Sequence, residues 1–360
     1  MITKMPLEPL QRAQRIYLDH AATTPLLPAA QEAMLAGFAE WANPSSPHAE
    51  GRRARAALED ARARIGKALG WEGEVVFTSG ASEALALAIS RCRLPLGAAS
   101  SVEHEAVLRH AEGTARLAVD AGGLVDPGSA ARGELVAVQQ VNNETGVIQP
   151  LDRIAEVVRA AGGLLLADCA QGAGKIALPD ADLIALSAHK FGGPIGAGVL
   201  LVRDWAMLRP SGGQERGYRA GTENLPGVLA MAAALEESGD WLAAAVRLRQ
   251  RLEQSIVAAG GGVIAGESPR VPTIGAYRMP GKSAAAQLIR FDGMGIAVSA
   301  GSACSSGSLR TSHVLGAMGL DDKVASEVIR VSIGRETTEE EIIRFAAAWS
   351  EVAGKASAAA

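Results

Sequence analysis

The chain has 360 residues, of which 48% are hydrophobic and 21% charged, and its formal net charge is −4. At about 150 residues per domain this length suits two domains, and the apolar content excludes global disorder. The small acidic excess gives no electrostatic reason to expect a nucleic acid or a membrane surface as partner.

The opening stretch MITKMPLEPLQRAQRIYLD has no apolar core of signal-peptide length. From Pro28 to about Trp41 the pattern is helical, and the turn Asn43-Pro44-Ser45-Ser46-Pro47 follows. His48 to Leu69 reads as a long helix with Arg55 and Glu59 at i, i+4, and its arginines at 52–64 read as a solvated face. Short apolar runs come next: Val75-Val76-Phe77, Leu135 to Val138, Leu164-Leu165-Leu166, Leu183 to Leu186 and Val199 to Val202. Several are continuous rather than alternating, as expected of strands buried on both faces of a mainly parallel sheet. Helical stretches such as Ser82–Arg91 and Leu151–Ala161 lie between them, which gives the βαβ arrangement. A helical region from about 226 ends at Gly260-Gly261-Gly262. Beyond it, short strands and helices lead to a last helix, Glu339–Val352, opened by the capping-box pattern Thr338-x-x-Glu341. The stretch Gly293–Leu309 is uncharged but about half Gly and Ser, so it is no membrane span. The expected architecture is a large α/β domain to about 240 and a smaller C-terminal α+β domain.

Two motifs fail on context. His104-Glu105 begins like a zinc-protease helix, but position 108 is Leu where the second His should stand. Gly172-Ala173-Gly174-Lys175-Ile176-Ala177 matches a dinucleotide fingerprint, but Pro179 and Asp180 break the helix it needs. Ser187-Ala188-His189-Lys190 is more informative, because it follows a fully apolar strand and so sits where open α/β sheets bind ligands. A lysine there either begins a surface loop or, with its pKa lowered, forms a Schiff base with an aldehyde cofactor. Asp168 ends another apolar run, where a carboxylate needs a cationic or hydrogen-bonding partner. It is a helix cap or the partner of a protonated pyridine nitrogen, and Lys with Asp is the pattern of pyridoxal phosphate enzymes. Gln171 is within reach of the same place. Thr78-Ser79-Gly80-Ala81-Ser82-Glu83 turns from strand into helix and offers N–H groups and hydroxyls to a phosphate, although a plain helix cap explains it too.

The cysteines are 92, 169 and 304, an odd number too small for a disulfide framework and without metal-ligand spacing. Cys92 and Cys169 adjoin apolar elements and read as packed small hydrophobes. Cys304 lies among Gly, Ser and Ala and reads as an exposed thiol in a mobile loop. A reducing, cytoplasmic setting is the expectation.

Taken in order, these segments resemble the cysteine desulfurases, pyridoxal phosphate enzymes of the aminotransferase class V fold. The resemblance runs from Tyr17-Leu18-Asp19-His20-Ala21-Ala22-Thr23-Thr24-Pro25 and Asn43-Pro44-Ser45-Ser46-x-His48 to Ile329-Arg330-Val331-Ser332. Between them stand Glu103-His104, Asn142-Asn143-Glu144-Thr145-Gly146, Asp168-Cys169-Ala170-Gln171 and Arg219-Ala220-Gly221-Thr222-Glu223-Asn224. Gly301-Ser302-Ala303-Cys304-Ser305-Ser306 is similar to the long-loop, iron–sulfur-cluster branch. The resemblance implies a type I transferase fold. Its large domain, at 15–242, has a mainly parallel seven-stranded sheet. Residues 1–14 and 243–360 form a small α+β domain that carries the cysteine loop.

The resemblance also implies roles. Lys190 binds the cofactor covalently, Asp168 pairs with its pyridine nitrogen, Gln171 bonds the ring hydroxyl, and His104 stacks on the ring and is catalytic, handling protons. Ala81 (backbone), Ser82, Ser187 and His189 bind the phosphate, with Thr222 reaching that of the neighbouring subunit in a homodimer with shared sites. Asn143 and Arg330 hold the carboxylate of L-cysteine, with Arg219 nearby. Cys304 takes the sulfur as a persulfide for an iron–sulfur scaffold or a sulfur-relay protein. No metal, membrane or direct nucleic-acid partner is implied. A selenocysteine lyase or another class V enzyme is the alternative chemistry, and a PLP-fold binding module without catalysis is the alternative class. Ala220 stands for a frequent Ser, Ser82 for a frequent Thr, and His20 for a frequent Asn.

Overall fold

The computed structural model describes residues 15–237, 241–301 and 311–354. Its strands are β1 (Ile16–Tyr17), β2 (Glu74–Thr78), β3 (Leu96–Ser100), β4 (Ala115–Leu117), β5 (Leu135–Ala137), β6 (Leu164–Asp168), β7 (Leu183–Ser187), β8 (Gly198–Val202), β9 (Gly262–Val263), β10 (Ile274–Arg278), β11 (Ile296–Ala297) and β12 (Val328–Ser332). Its α-helices are α1 (Pro28–Ala39), α2 (Ala49–Leu69), α3 (Ala81–Arg91), α4 (Glu105–Leu108), α5 (Leu151–Ala160), α6 (Leu225–Glu236), α7 (Trp241–Ala258), α8 (Ala284–Gly293), α9 (His313–Ala317), α10 (Asp322–Ala325) and α11 (Glu339–Val352).

Seven strands form one sheet in the order β2-β8-β7-β6-β5-β3-β4. The pairs from β4 through β7 are parallel, while β8 runs antiparallel to both β7 and β2. The mainly parallel seven-stranded α/β sheet is therefore present. The continuous apolar runs have a structural cause. Along β6 and β7 successive side chains feed opposite layers: Leu165, Ile184 and Leu186 pack with α2 and α6, whereas Leu166, Leu183 and Ala185 pack with α3.

Sequence dictates α2 at both ends. His48 accepts the Gly51 N–H at its start, and Gly70, with φ of 62°, takes the left-handed conformation at its end. Its arginines are not all solvated, however. Arg62 is half-buried, lies 4.3 Å over the Phe77 ring, and forms a two-pronged pair with Glu215 at 2.8 and 2.9 Å. Glu215 also accepts the Phe77 N–H, so this arginine ties α2 and β2 to the segment after residue 211.

A second core joins α7, α8 and α11 to β10 and β12 through Leu252, Phe291, Tyr277, Val331, Phe345 and Trp349. Ile16 and Leu18 lie in this core as well, and β1 pairs in parallel with β11. The sequence division at residue 15 therefore cuts just ahead of a segment that packs with the C-terminal part. Residues 1–14 lie outside the described residues. From Leu18 the chain runs beside β12 and enters the large sheet's side at Ala21.

Candidate active site

A cavity of about 420 Å³ opens at the carboxyl ends of β6 and β7 and is roofed by β12. Three elements of the large sheet build its floor. Asp168 is the last residue of β6, Lys190 ends a single 3₁₀ turn directly after β7, and Gly80 caps α3 after β2. Gly80 has φ of 151°, which a side chain would resist, and a Cβ on Gly198 of β8 would meet Gly80 Cα at 2.5 Å. Paired glycines thus let the turn before α3 lie directly on β8. Gly80 offers α3 no capping side chain, so its first residues Ala81 and Ser82 bring open N–H groups to the cavity wall.

Lys190 Nζ donates to the carbonyls of Ala21 and Ala22 at 2.6 and 2.8 Å. Gln171 Nε2 donates to the same Ala21 carbonyl at 2.8 Å, while its Oε1 is buried with no partner among the described residues. Asp168 is 8% exposed, and its Oδ1 accepts the Ala170 N–H at 2.9 Å. Burial pushes this carboxyl above its ordinary range, against the Ala170 bond and the charges of His104 and Lys190. His104 caps α4, its Nδ1 accepting the Ala106 N–H at 3.1 Å, which leaves the ring proton on Nε2. Burial lowers the His104 pKa and favours the neutral ring. His189 is pulled down to about 4 by burial and then by Lys190 and Lys175, and its Nδ1 lies 3.2 Å from Thr23 Oγ1.

Ser187, Asn143 and Arg330 also line the cavity. The Arg330 side chain is 3% exposed, with Nη2 donating to Asp19 Oδ1 at 2.8 Å and Nη1 to the Asn143 carbonyl at 3.0 Å. Arg219 lies one layer out, where its Nε donates to Glu83 Oε1 at 3.0 Å, and Glu83 itself lines the wall. Thr222 is exposed and away from the cavity. Cys304 lies outside the described residues. Its flanks meet at one carboxylate: Ser312 Oγ donates to Glu144 Oε2 at 2.6 Å, and a Cβ on Gly301 would strike the same oxygen at 2.0 Å. Glu144 adjoins Asn143, so Ser312 is tied, and Gly301 packed closely, beside the cavity.

Sequence reasoning brought most of this set together. It gave no role to Asp19, to the Ala21 and Ala22 carbonyls, or to Glu83 and Glu103. Glu103 is a fully buried acid whose carboxyl burial drives well up, with the Asp168 charge adding to it. Asp19 lies within the segment Tyr17–Pro25, and nothing local in the sequence marks it as the partner of Arg330.

A family model described as aminotransferase class-V matches residues 16–345. This chain belongs to the aminotransferase class-V family. A cysteine desulfurase of Cereibacter sphaeroides is 38% identical over 92% of this chain and 94% of its own. The cysteine desulfurase IscS of an Anaeromyxobacter species is 37% identical over 91% of this chain and 89% of its own. Among solved structures, the NifS-like protein of Rickettsia africae superimposes with a TM-score of 0.85 at 28% identity, covering 94% of this chain and 99% of that one. A structure described as SspA in complex with cysteine matches with a TM-score of 0.76 at 30% identity, covering 90% and 100%.

The class V family is one of pyridoxal phosphate enzymes, and the residues present fit that group. The unpartnered Gln171 Oε1 faces the need for a donor, Asp168 is a buried carboxylate awaiting a cation, and the α3 N-terminus with Ser82, Ser187 and His189 suits a phosphate. Among the described residues, no group of His, Cys, Asp and Glu is arranged to hold a metal ion, and no helix is long and apolar enough to cross a membrane.

Proposed function

We propose that this chain is a cysteine desulfurase that removes sulfur from L-cysteine, releases L-alanine and carries the sulfur as a persulfide on Cys304. The observation that carries the reading is the convergence of Lys190, Asp168, Gln171 and His104 with Arg330 and Asn143 on one cavity. Bound there, pyridoxal phosphate supplies the carbonyl that takes the substrate amine and an electron sink for the carbanion. Lys190 holds the cofactor and then serves as the base at the substrate Cα. Asp168 keeps a proton on the pyridine nitrogen, Gln171 bonds the ring hydroxyl, and neutral His104 covers the ring. The N–H of Ala81 and the side chains of Ser82, Ser187 and His189 take the phosphate. Thr222, exposed here, reaches the phosphate of a second copy in a homodimer. Asn143 and Arg330 orient the substrate carboxylate. The Cys304 thiolate attacks the substrate sulfur, the carbon–sulfur bond breaks, and a protein acceptor of an iron–sulfur scaffold or a sulfur relay later takes the outer sulfur atom. The free Cys304 thiol that this attack needs fits a reducing, cytoplasmic setting, where it is kept from disulfide formation.

Purified protein incubated with pyridoxal phosphate and then L-cysteine should release alanine, and sulfide in the presence of a thiol. Cys304→Ala should lose that turnover while keeping the yellow cofactor absorption, and Lys190→Ala should lose the covalent cofactor signature. Native-like turnover by Cys304→Ala defeats the persulfide route.

A further inference from the structure

We propose that Asp19 is a positioning residue for the substrate carboxylate, fixing the Arg330 guanidinium so that its remaining donors face the cavity. The inference rests on the reading of Arg330 as the carboxylate receiver. A guanidinium carries five N–H donors in one plane, and two fixed acceptors are enough to set that plane. In this chain those acceptors are Asp19 Oδ1 and the Asn143 carbonyl. Arg330 Nε–H is buried with no partner among the described residues, so donor capacity is left beside the cavity.

The backbone holds Asp19 in register for this task. Ser332 N donates to Leu18 O at 2.8 Å, Ser332 Oγ accepts the Ala21 N–H at 2.9 Å, and Asp19 bridges to Ser332. Tyr17 Oη lies 3.1 Å from the Asp19 carbonyl and 2.9 Å from that of Thr23, its single proton shared between the two ends of the turn. Asp19 does not itself line the cavity, so it acts on substrate only through Arg330. The same turn presents the Ala21 and Ala22 carbonyls to Lys190, so the carboxylate receiver and the cofactor lysine are referenced to one short segment.

The test uses holoenzyme. Kinetics are measured with L-cysteine, and the cofactor spectrum is titrated with L-cysteine and with cysteamine, which lacks the carboxylate. Asp19→Ala should raise KM for L-cysteine about tenfold or more and leave kcat within about threefold, a loss of carboxylate binding that the ground and transition states share. Cysteamine binding should be unchanged. Asp19→Asn, which keeps an acceptor in place, should stay near native, while Asp19→Glu, which keeps the charge but displaces it, should behave like Asp19→Ala. An unchanged KM in both Asp19→Ala and Asp19→Glu overturns the proposal, as does an equal weakening of cysteamine. Arg330→Ala separates the two readings. If it keeps native preference for L-cysteine over cysteamine, the assignment of Arg330 is wrong. If it loses that preference and the Asp19 variants do not, only the role of Asp19 is wrong.

Discussion

Burial raises the thiol pKa of Cys92, and raises that of Cys169 well beyond its ordinary value with the Asp168 and Glu103 charges adding to it. Neither is a nucleophile at neutral pH. Folded protein treated with iodoacetamide should therefore be alkylated at neither Cys92 nor Cys169, while unfolded protein reacts at all three cysteines; peptide mass mapping reads the difference. His20 gives a prediction in pH. Burial first, and then the Lys175 ammonium, pulls its pKa to about 4 from an ordinary 6.5. The unfolded chain takes up that proton near 6.5 and the folded chain only near 4, so stability falls as pH drops through this window. His20→Asn should flatten part of that decline in urea midpoints measured between pH 7 and 4. At this scale the sequence showed Lys190 and Asp168 because each follows an apolar run, where a charge needs a reason. It did not show Arg62–Glu215 or Asp19–Arg330, since those pairs join residues 153 and 311 positions apart and no local pattern marks them.

Among the elements, α11 is the clearest case of local code. Thr338 and Glu341 form the reciprocal capping box that the spacing predicts. Its apolar residues Ile342, Phe345, Trp349 and Val352 fall on one buried stripe against α7 and α8. Thr338→Ala should cost about 1 kcal/mol, the ordinary value of a lost N-cap, read as a lower urea midpoint with an unchanged slope. Trp349→Ala should cost more, roughly 3–5 kcal/mol, because it opens a cavity among Phe291 and Phe345. The buried strands β6, β7 and β8 were legible as apolar runs. Short strands such as β1, β9 and β11 were not, since two residues carry no period and exist only through their partners. The antiparallel direction of β8 was equally hidden, because chain direction in a buried strand leaves no compositional trace.

Over the whole molecule, the cavity takes its floor from the large sheet and Arg330, the proposed carboxylate receiver, from β12, which belongs to the second core. Arg330 and Asp19 form an ion pair in which one partner is almost fully enclosed. Removing the acid leaves an uncompensated charge, which typically costs about 3–5 kcal/mol in a buried pair; the partial exposure of Asp19 sets the expectation for Asp19→Ala below that range. Chemical denaturation of the variant measures it.

The union of β1 with β11 and of Leu18 with Ser332 also sets an order of events during synthesis. The seven-stranded sheet is complete once Val202 has left the ribosome, and Lys190 precedes that point. Asp19 is among the first residues to emerge, yet its cation arrives only with β12, near the end of translation. A nascent or prematurely terminated chain can thus hold Lys190, Asp168, Asn143 and the turn before α3, and still lack the Arg330–Asp19 pair. The guanidinium proposed to receive the substrate carboxylate is therefore in place only when the two ends of the polypeptide meet.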